Sequence, residues 1–253
     1  MYCTVFPRTD LFIHSDRQGE SMTKVGVIGA MELEVSALKR QIEGISVKKK
    51  AGMEFCEGTI GGTDVVVVRC GIGKVNAALC VQILCDDFKV THIVNTGVAG
   101  SLNNELNIGD ILISKDAVHH DVDVTIFSYK VGEVPQLGIR EFPADEHLIQ
   151  VAEQSIKETQ PDLNYRIGRV ASGDQFISSS EAKDRIISNF EADCAEMEGA
   201  SIAHGAYLNK VPFVIIRAIS DKADGSAEED YPTFEKAAAA HCAKLVADML
   251  PRI

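Results

Sequence analysis

Apolar residues fall into two alternating rhythms along this chain. Runs rich in β-branched residues over Lys24–Gly29, Glu54–Ile60, Asp64–Cys70, His92–Thr96, Gly109–Ala117, Arg166–Ser172 and Val211–Ile219 predict strands. Between them apolar positions recur at helical spacing: Val35, Leu38 and Ile42 ahead of Gly44, then Val75, Leu79 and Ile83, then Leu148, Val151, Ala152 and Ile156 ahead of Pro161. Ser178 and Glu181 are spaced as a capping box that opens a helix to about Phe190, and Met197–Leu208 and Phe234–Leu250 read as the remaining helices. Strands alternating with helices predict an α/β fold: a single domain with a central, mostly parallel mixed β-sheet flanked by helices.

Two stretches break the rhythm. Val118–Pro143 has no clear periodicity and is expected to be an extended excursion, which at that length points to function or an interface. Residues 1–21 are polar and aperiodic, with acids among the bases and no apolar core followed by a cleavage site, so they do not resemble a signal peptide. They are expected to be a disordered extension or a mis-called start, with the domain occupying residues 22–253.

Composition narrows the classes of partner. The 25 Lys and Arg stand against 37 Asp and Glu, a formal charge of −12, so nucleic acid and anionic membrane would be repelled. Seven cysteines, an odd number with no CxxC, favour reduced thiols in a cytoplasmic protein over disulfides or a zinc site. No apolar run approaches the roughly 20 residues that cross a bilayer.

In open α/β sheets ligands sit beyond the carboxyl ends of the strands, and four such ends carry unusual residues. After the first strand, Gly29 and Ala30 lead to Met31, Glu32 and Glu34; two residues apart, only one of the acids is expected in a cleft, and both could simply complement a helix dipole. VVVVRCGIGK imitates two phosphate loops and satisfies neither, because Val75 follows Lys74 and Asn76 replaces a third glycine; close approach to a ligand and tight packing both fit Gly71 and Gly73. In HIVNTGVAGSL, Gly97, Ala99 and Gly100 would let a flat ring lie on the backbone. The last strand ends in Ser220 and Asp221, where desolvation would raise the carboxyl pKa and make it a proton donor, unless Asp221 merely caps a turn. In a helix of small apolar residues, Glu196 and Glu198 need partners; a vicinal diol or a salt bridge would serve Glu198. His119, His120, Asp121 and Asp123 alternate between the faces of a strand, so no metal site is expected.

GAMELEV, CGIGKVNAA, NTGVAGSL, GDILIS, HHDVDVT, SGDQFI, AEMEGASIAH and VPFVIIRAISDKAD, in this order from Lys24 to Leu250, resemble the bacterial 5′-methylthioadenosine/S-adenosylhomocysteine nucleosidases of the nucleoside phosphorylase superfamily. The resemblance implies cofactor-free hydrolysis of an N-glycosidic bond that releases adenine. It assigns Glu34 to the attacking water, Asp221 to protonation of the purine at N-7, and Glu198 to the ribose hydroxyls. It further implies that Met197 packs on the ribose, that Phe176 and Ile177 hold adenine, and that Val98, Ala99, Gly100, Ser220 and Arg217 form the wall. Met31, Ile72 and Tyr231 would line the 5′-alkylthio pocket, closed in a homodimer by Phe127, Tyr129 and Pro135 of the other copy. Val98 stands where many members have Ser, Ser101 where many have Gly, and Tyr231 where Phe is usual.

The chemistry is consistent with that implication. Ribosyl cleavage builds positive charge on the sugar while the base leaves as an anion unless protonated, which calls for one acid and one carboxylate. A purine nucleoside phosphorylase would instead need basic residues where Glu34 stands. An aminodeoxyfutalosine hydrolase is a closer rival, and a non-catalytic nucleoside-binding module would not need both Glu34 and Asp221.

Overall fold

Val65, Val66, Val67 and Val68 are all fully buried, which requires cover on both faces of the strand that carries them. The computed structural model describes residues 23–253, so the expectation for residues 1–21 lies outside the described residues. In chain order the elements are β1 (Lys24–Gly29), α1 (Glu32–Lys39), β2 (Glu43–Lys50), β3 (Met53–Ile60), β4 (Thr63–Arg69), α2 (Lys74–Asp87), β5 (His92–Ser101) and β6 (Ile111–His119). There follow β7 (Glu141–Pro143), α3 (Glu146–Thr159), β8 (Tyr165–Ser172), α4 (Ser180–Phe190), β9 (Cys194–Glu196), α5 (Gly199–Asn209), β10 (Phe213–Asp221) and α6 (Ala227–Met249).

The valines alternate as a strand requires. Val65 and Val67 join a core with α1, α3 and α6, whereas Val66 and Val68 join one with α2 and α5 on the other face. Each fully buried valine contributes on the order of 1.5 kcal/mol. The ten strands form one mixed sheet, parallel at its centre, where β4, β1, β5 and β10 lie side by side. Antiparallel pairs extend it through β3 and β2 at one end and join β6 to β10 and β9 to β5 at the other. Because β5 also pairs with β10, strands β5, β10, β6, β8 and β9 close on themselves.

The structure departs from the sequence pattern in five places. β2 is exposed along its whole length, a mostly polar edge strand whose Lys48 and Lys50 pair with Asp87; its two apolar residues, Ile45 and Val47, are too few to set a readable period. On α2 the expected face is only partly buried: Ile83 is in the core, but Val75 and Leu79 are 72% and 48% exposed, and Ala77, Cys80, Val81 and Leu84 pack instead. The cap of α4 is Ser179, whose hydroxyl accepts from Ala182 N at 3.2 Å, one position beyond the expected Ser178 in a run of three serines. α6 starts at Ala227, seven residues earlier than the pattern suggests, with Pro232 inside it. Glu196 lies on β9 rather than in a helix, and α5 begins only at Gly199. The excursion contains one 3₁₀ turn, Thr125–Phe127, an isolated bridge between Val134 and Ile139, and β7.

Candidate functional site

β10 covers one edge of β5 throughout, but the other edge changes partner: β1 pairs with it through Asn95, and β9 takes over only at Gly100. The intervening stretch has backbone N–H groups without a strand to accept them. Glu34 supplies the acceptor. Its Oε1 takes Val98 N at 3.1 Å, and its Oε2 takes Ala30 N at 2.7 Å and Met31 N at 2.9 Å from the chain leaving β1. Of the two acids on α1 only Glu34 turns inward; Glu32 pairs with Lys39 at the surface. Burial pushes the Glu34 carboxyl above its ordinary range, opposed by Arg217 and the three backbone donors. Gly97 is required by this arrangement, since a Cβ there would lie 2.5 Å from Glu34 Oε1.

Arg217, on β10 beside Gly97, is 2% exposed and holds Asn95 Oδ1 at 2.6 Å and the carboxylate of Glu196. Glu196 also accepts from Ser172 Oγ, from Gly199 N at 2.8 Å and from Glu198 N at 3.1 Å, so it caps α5 from the preceding strand. These partners outweigh its burial and hold its carboxyl below the ordinary range. Glu198 is less well supplied. Its Oε1 accepts from Gly73 N at 2.7 Å, where the chain takes φ +98°. Burial first, and then the charge of Glu196, push Glu198 up to about 8. One guanidinium therefore serves three carboxylates.

Asp221 lies at the end of β10, opposite Gly100. Its Oδ1 accepts from Ala223 N at 2.8 Å and its Oδ2 from Ser220 Oγ at 2.9 Å, yet burial still raises its pKa, as expected for a strand-terminal acid. The glycines abutting Glu34 and Asp221 are three residues apart on β5, roughly 10 Å at ordinary strand rise. That separation leaves room for a small molecule and a water between the two acids.

A cavity of about 370 Å³ fills this space. Glu34, Glu196, Glu198 and Asp221 line it, as do Val98, Ala99, Gly100, Met197 and Ser220. At its mouth stand Met31, Ile72, Phe176 and Tyr231; the Tyr231 hydroxyl donates to Met31 Sδ at 3.3 Å, and its ring meets Phe176 edge-on at 5.7 Å. Among the described residues the lining contains no Lys, Arg or His. Arg217 lies beneath the wall rather than in it, and Ile177 packs into a small core cluster with Leu102 and Ala195. Phe127 and Pro135 are exposed, Tyr129 is partly so, and none of the three lines this chain's own cavity. Val98 leaves an apolar wall, although its backbone N–H still holds Glu34.

Sequence reasoning did not single out Asn95 or Ser172 as parts of the site, and it left Gly73 between ligand approach and packing. Their signal was present only as polar or glycine residues at strand ends, without a named partner. Outside the cavity, His119 sits edge-on to Phe142 and His204, with burial lowering its pKa to about 4, and Asp121 pairs with Lys74 at 2.6 Å. No helix of the described residues is long and apolar enough to cross a membrane.

A sequence model of the Phosphorylase superfamily matches residues 24–251. A 5′-methylthioadenosine/S-adenosylhomocysteine nucleosidase of Geobacillus sp. is 43% identical over 224 residues, covering 88% of this chain and 96% of its own. Among solved structures, the Colwellia psychrerythraea nucleosidase of the same name, in complex with adenine, superposes with a TM-score of 0.88 at 37% identity, covering 92% of this chain and 96% of the other. Futalosine hydrolase of Helicobacter pylori gives a TM-score of 0.87 at 32% identity, covering 93% of this chain and all (100%) of the other. With the sheet, the buried carboxylates and these likenesses in agreement, the chain belongs to the Phosphorylase superfamily and, within it, to the 5′-methylthioadenosine/S-adenosylhomocysteine nucleosidases.

Proposed function

We propose that this chain hydrolyses the N-glycosidic bond of 5′-methylthioadenosine and S-adenosylhomocysteine, and of 5′-deoxyadenosine, releasing adenine and the 5-thioribose or deoxyribose product. The observation that carries hydrolysis is the charge of the cavity: four carboxylates and, among the described residues, no cation in its lining. A phosphate ion would be repelled there, whereas a ribosyl group gaining positive charge would be stabilised.

Asp221, with its raised pKa, can hold the proton that N-7 of the leaving purine needs. Glu34, fixed by three N–H donors, orients and activates the water. Glu198 takes the ribose hydroxyls; a diol donating to it replaces the water that burial removed and favours its ionised form. Met197 packs on the sugar, Phe176 stacks on the base, and the backbone at Ile177 reads the base edge. Val98, Ala99, Gly100 and Ser220 form the wall, with Arg217 orienting the carboxylates. Met31, Ile72 and Tyr231 receive the 5′-thio substituent.

The working unit in this reading is a homodimer. Val75 and Leu79 on α2 and Ile72 just before it are all exposed, as are Ile126 and Phe127 in the excursion. Such apolar residues suit a partner surface. Phe127, Tyr129 and Pro135 would then close the cavity of the other copy. We place the enzyme in the cytoplasm, in methionine salvage and nucleoside breakdown, without nucleic acid, membrane or cofactor, and residues 22–253 as its domain.

Adenine release from methylthioadenosine, followed with and without phosphate, tests the reading. Equal rates are expected; a rate that depends on phosphate would assign the cavity to phosphorolysis instead. Aminodeoxyfutalosine as the better substrate would move it to the rival hydrolase.

A further inference from the structure

A second cavity, about 480 Å³, opens beside the first, and Ala30, Met31 and Ile72 line both. The two therefore adjoin at the apolar end assigned to the 5′ substituent, with these three residues as their common wall. Their chemistry differs. The second is walled by the Ala51–Met53 turn and carries two opposite charges, Glu32 on the first turn of α1 and Arg69 at the end of β4. Arg69 pairs in register with Gly29, and Glu32 follows that glycine by three residues, so both flank the same strand end. Arg69 is exposed and has no ion-pair partner among the described residues. Glu32 holds Lys39 at 2.9 Å and keeps 52% of its side chain exposed.

We propose that Arg69 and Glu32 form a subsite for a zwitterionic α-amino acid tail on the 5′-thioether of the nucleoside, Arg69 taking the carboxylate and Glu32 the ammonium. The inference rests on the nucleosidase reading above. A guanidinium without an ion pair among the described residues, next to a half-exposed carboxylate, matches the two charges of such a tail in sign. A 5′-phosphate does not fit as well, because Glu32 would repel its double negative charge. A methylthio group is too short to leave the Met31 and Ile72 contacts and should not sense either charge.

The experiment compares kcat/KM for S-adenosylhomocysteine and for methylthioadenosine in the wild type, Arg69→Gln and Glu32→Gln. Each variant should lose about five- to tenfold on S-adenosylhomocysteine, through KM rather than kcat, the scale of a solvent-exposed charge-assisted contact. Methylthioadenosine should stay within about twofold, which also shows that the variants fold. Esterifying the tail carboxylate should abolish the effect of R69Q. Equal losses on both substrates, or none on S-adenosylhomocysteine, would overturn the subsite while leaving the nucleosidase reading intact. A wild type that releases adenine from neither substrate would overturn that reading and the subsite with it.

Discussion

Replacing each proposed catalytic acid by its amide should abolish turnover in both cases but change stability in only one. In Asp221→Asn the partners can adapt. Ala223 N–H needs an acceptor, which the amide oxygen supplies, and the Ser220 hydroxyl now donating to Oδ2 can rotate to accept from the new NH2 group. Burial also raises the pKa of the wild-type carboxyl, so removing its charge relieves part of a desolvation cost there. Stability should be unchanged or slightly higher. Glu34→Gln is different, because both oxygens of Glu34 accept from backbone N–H groups that cannot turn round. With the amide oxygen kept on Ala30 and Met31, the NH2 group must face Val98 N–H, donor against donor. One buried N–H is then unsatisfied, at about 1–3 kcal/mol. At roughly 2–4 °C per kcal/mol for a domain of this size, Tm should fall by about 2–12 °C. Loss of general acid or base catalysis should lower kcat about 10²- to 10⁴-fold in both variants, on the order of 3–5 kcal/mol of barrier. Calorimetry beside an adenine-release assay separates the two effects. A D221N enzyme retaining more than about a tenth of wild-type kcat would remove Asp221 from the proton-donor role. An E34Q protein melting with the wild type would mean that the three backbone bonds do not hold Glu34 as described.

Further expectations follow from the same geometry. Glu198, pushed up to about 8, contributes stability that is fully present below its unfolded value of 4.5 and is lost as pH rises through about 8, with Glu34 and Asp221 acting in the same direction. Above about pH 6.5, where the buried His119 no longer acts in the opposite sense, Tm should therefore decline towards pH 8, and Glu198→Gln should flatten that decline; a flat wild-type profile there would contradict it. Gly97→Ala sets a Cβ 2.5 Å from Glu34 Oε1, so it should destabilise by about 1–3 kcal/mol and lower kcat at least about tenfold, checked by melting and turnover together. Leu79→Glu places a charge on the apolar face of α2 and should yield monomers with a raised KM; sedimentation of a fully active wild-type monomer would refute the dimer. Methylthioadenosine should exceed adenosine about 10- to 200-fold in kcat/KM, because the 5′ end is lined by Met31, Ile72 and Tyr231, and equal values would mislocate that pocket.

How much was legible in the chain depended on whether a residue's environment was set locally. The all-valine run of β4 could be read directly, because burial on both faces leaves one composition. β2 could not, because an exposed edge strand needs few apolar residues, and Ile45 and Val47 alone do not make a period. The same division runs through the site. Glu34 and Asp221 follow strand ends, and a carboxylate just beyond a buried strand is a local anomaly that the sequence displays. Glu196 looked like a misplaced acid in an apolar helix. Its partners come from Ser172 on β8, Arg217 on β10 and the first turn of α5, a set assembled only when β5, β10, β6, β8 and β9 close. Exposed Val75 and Leu79 illustrate the reverse difficulty: their helical spacing marks an apolar face correctly but does not say what covers it. Periodicity reports that a surface avoids water, not whose surface meets it. Part of the pattern that predicts a core in this chain is therefore the pattern from which the dimer is inferred.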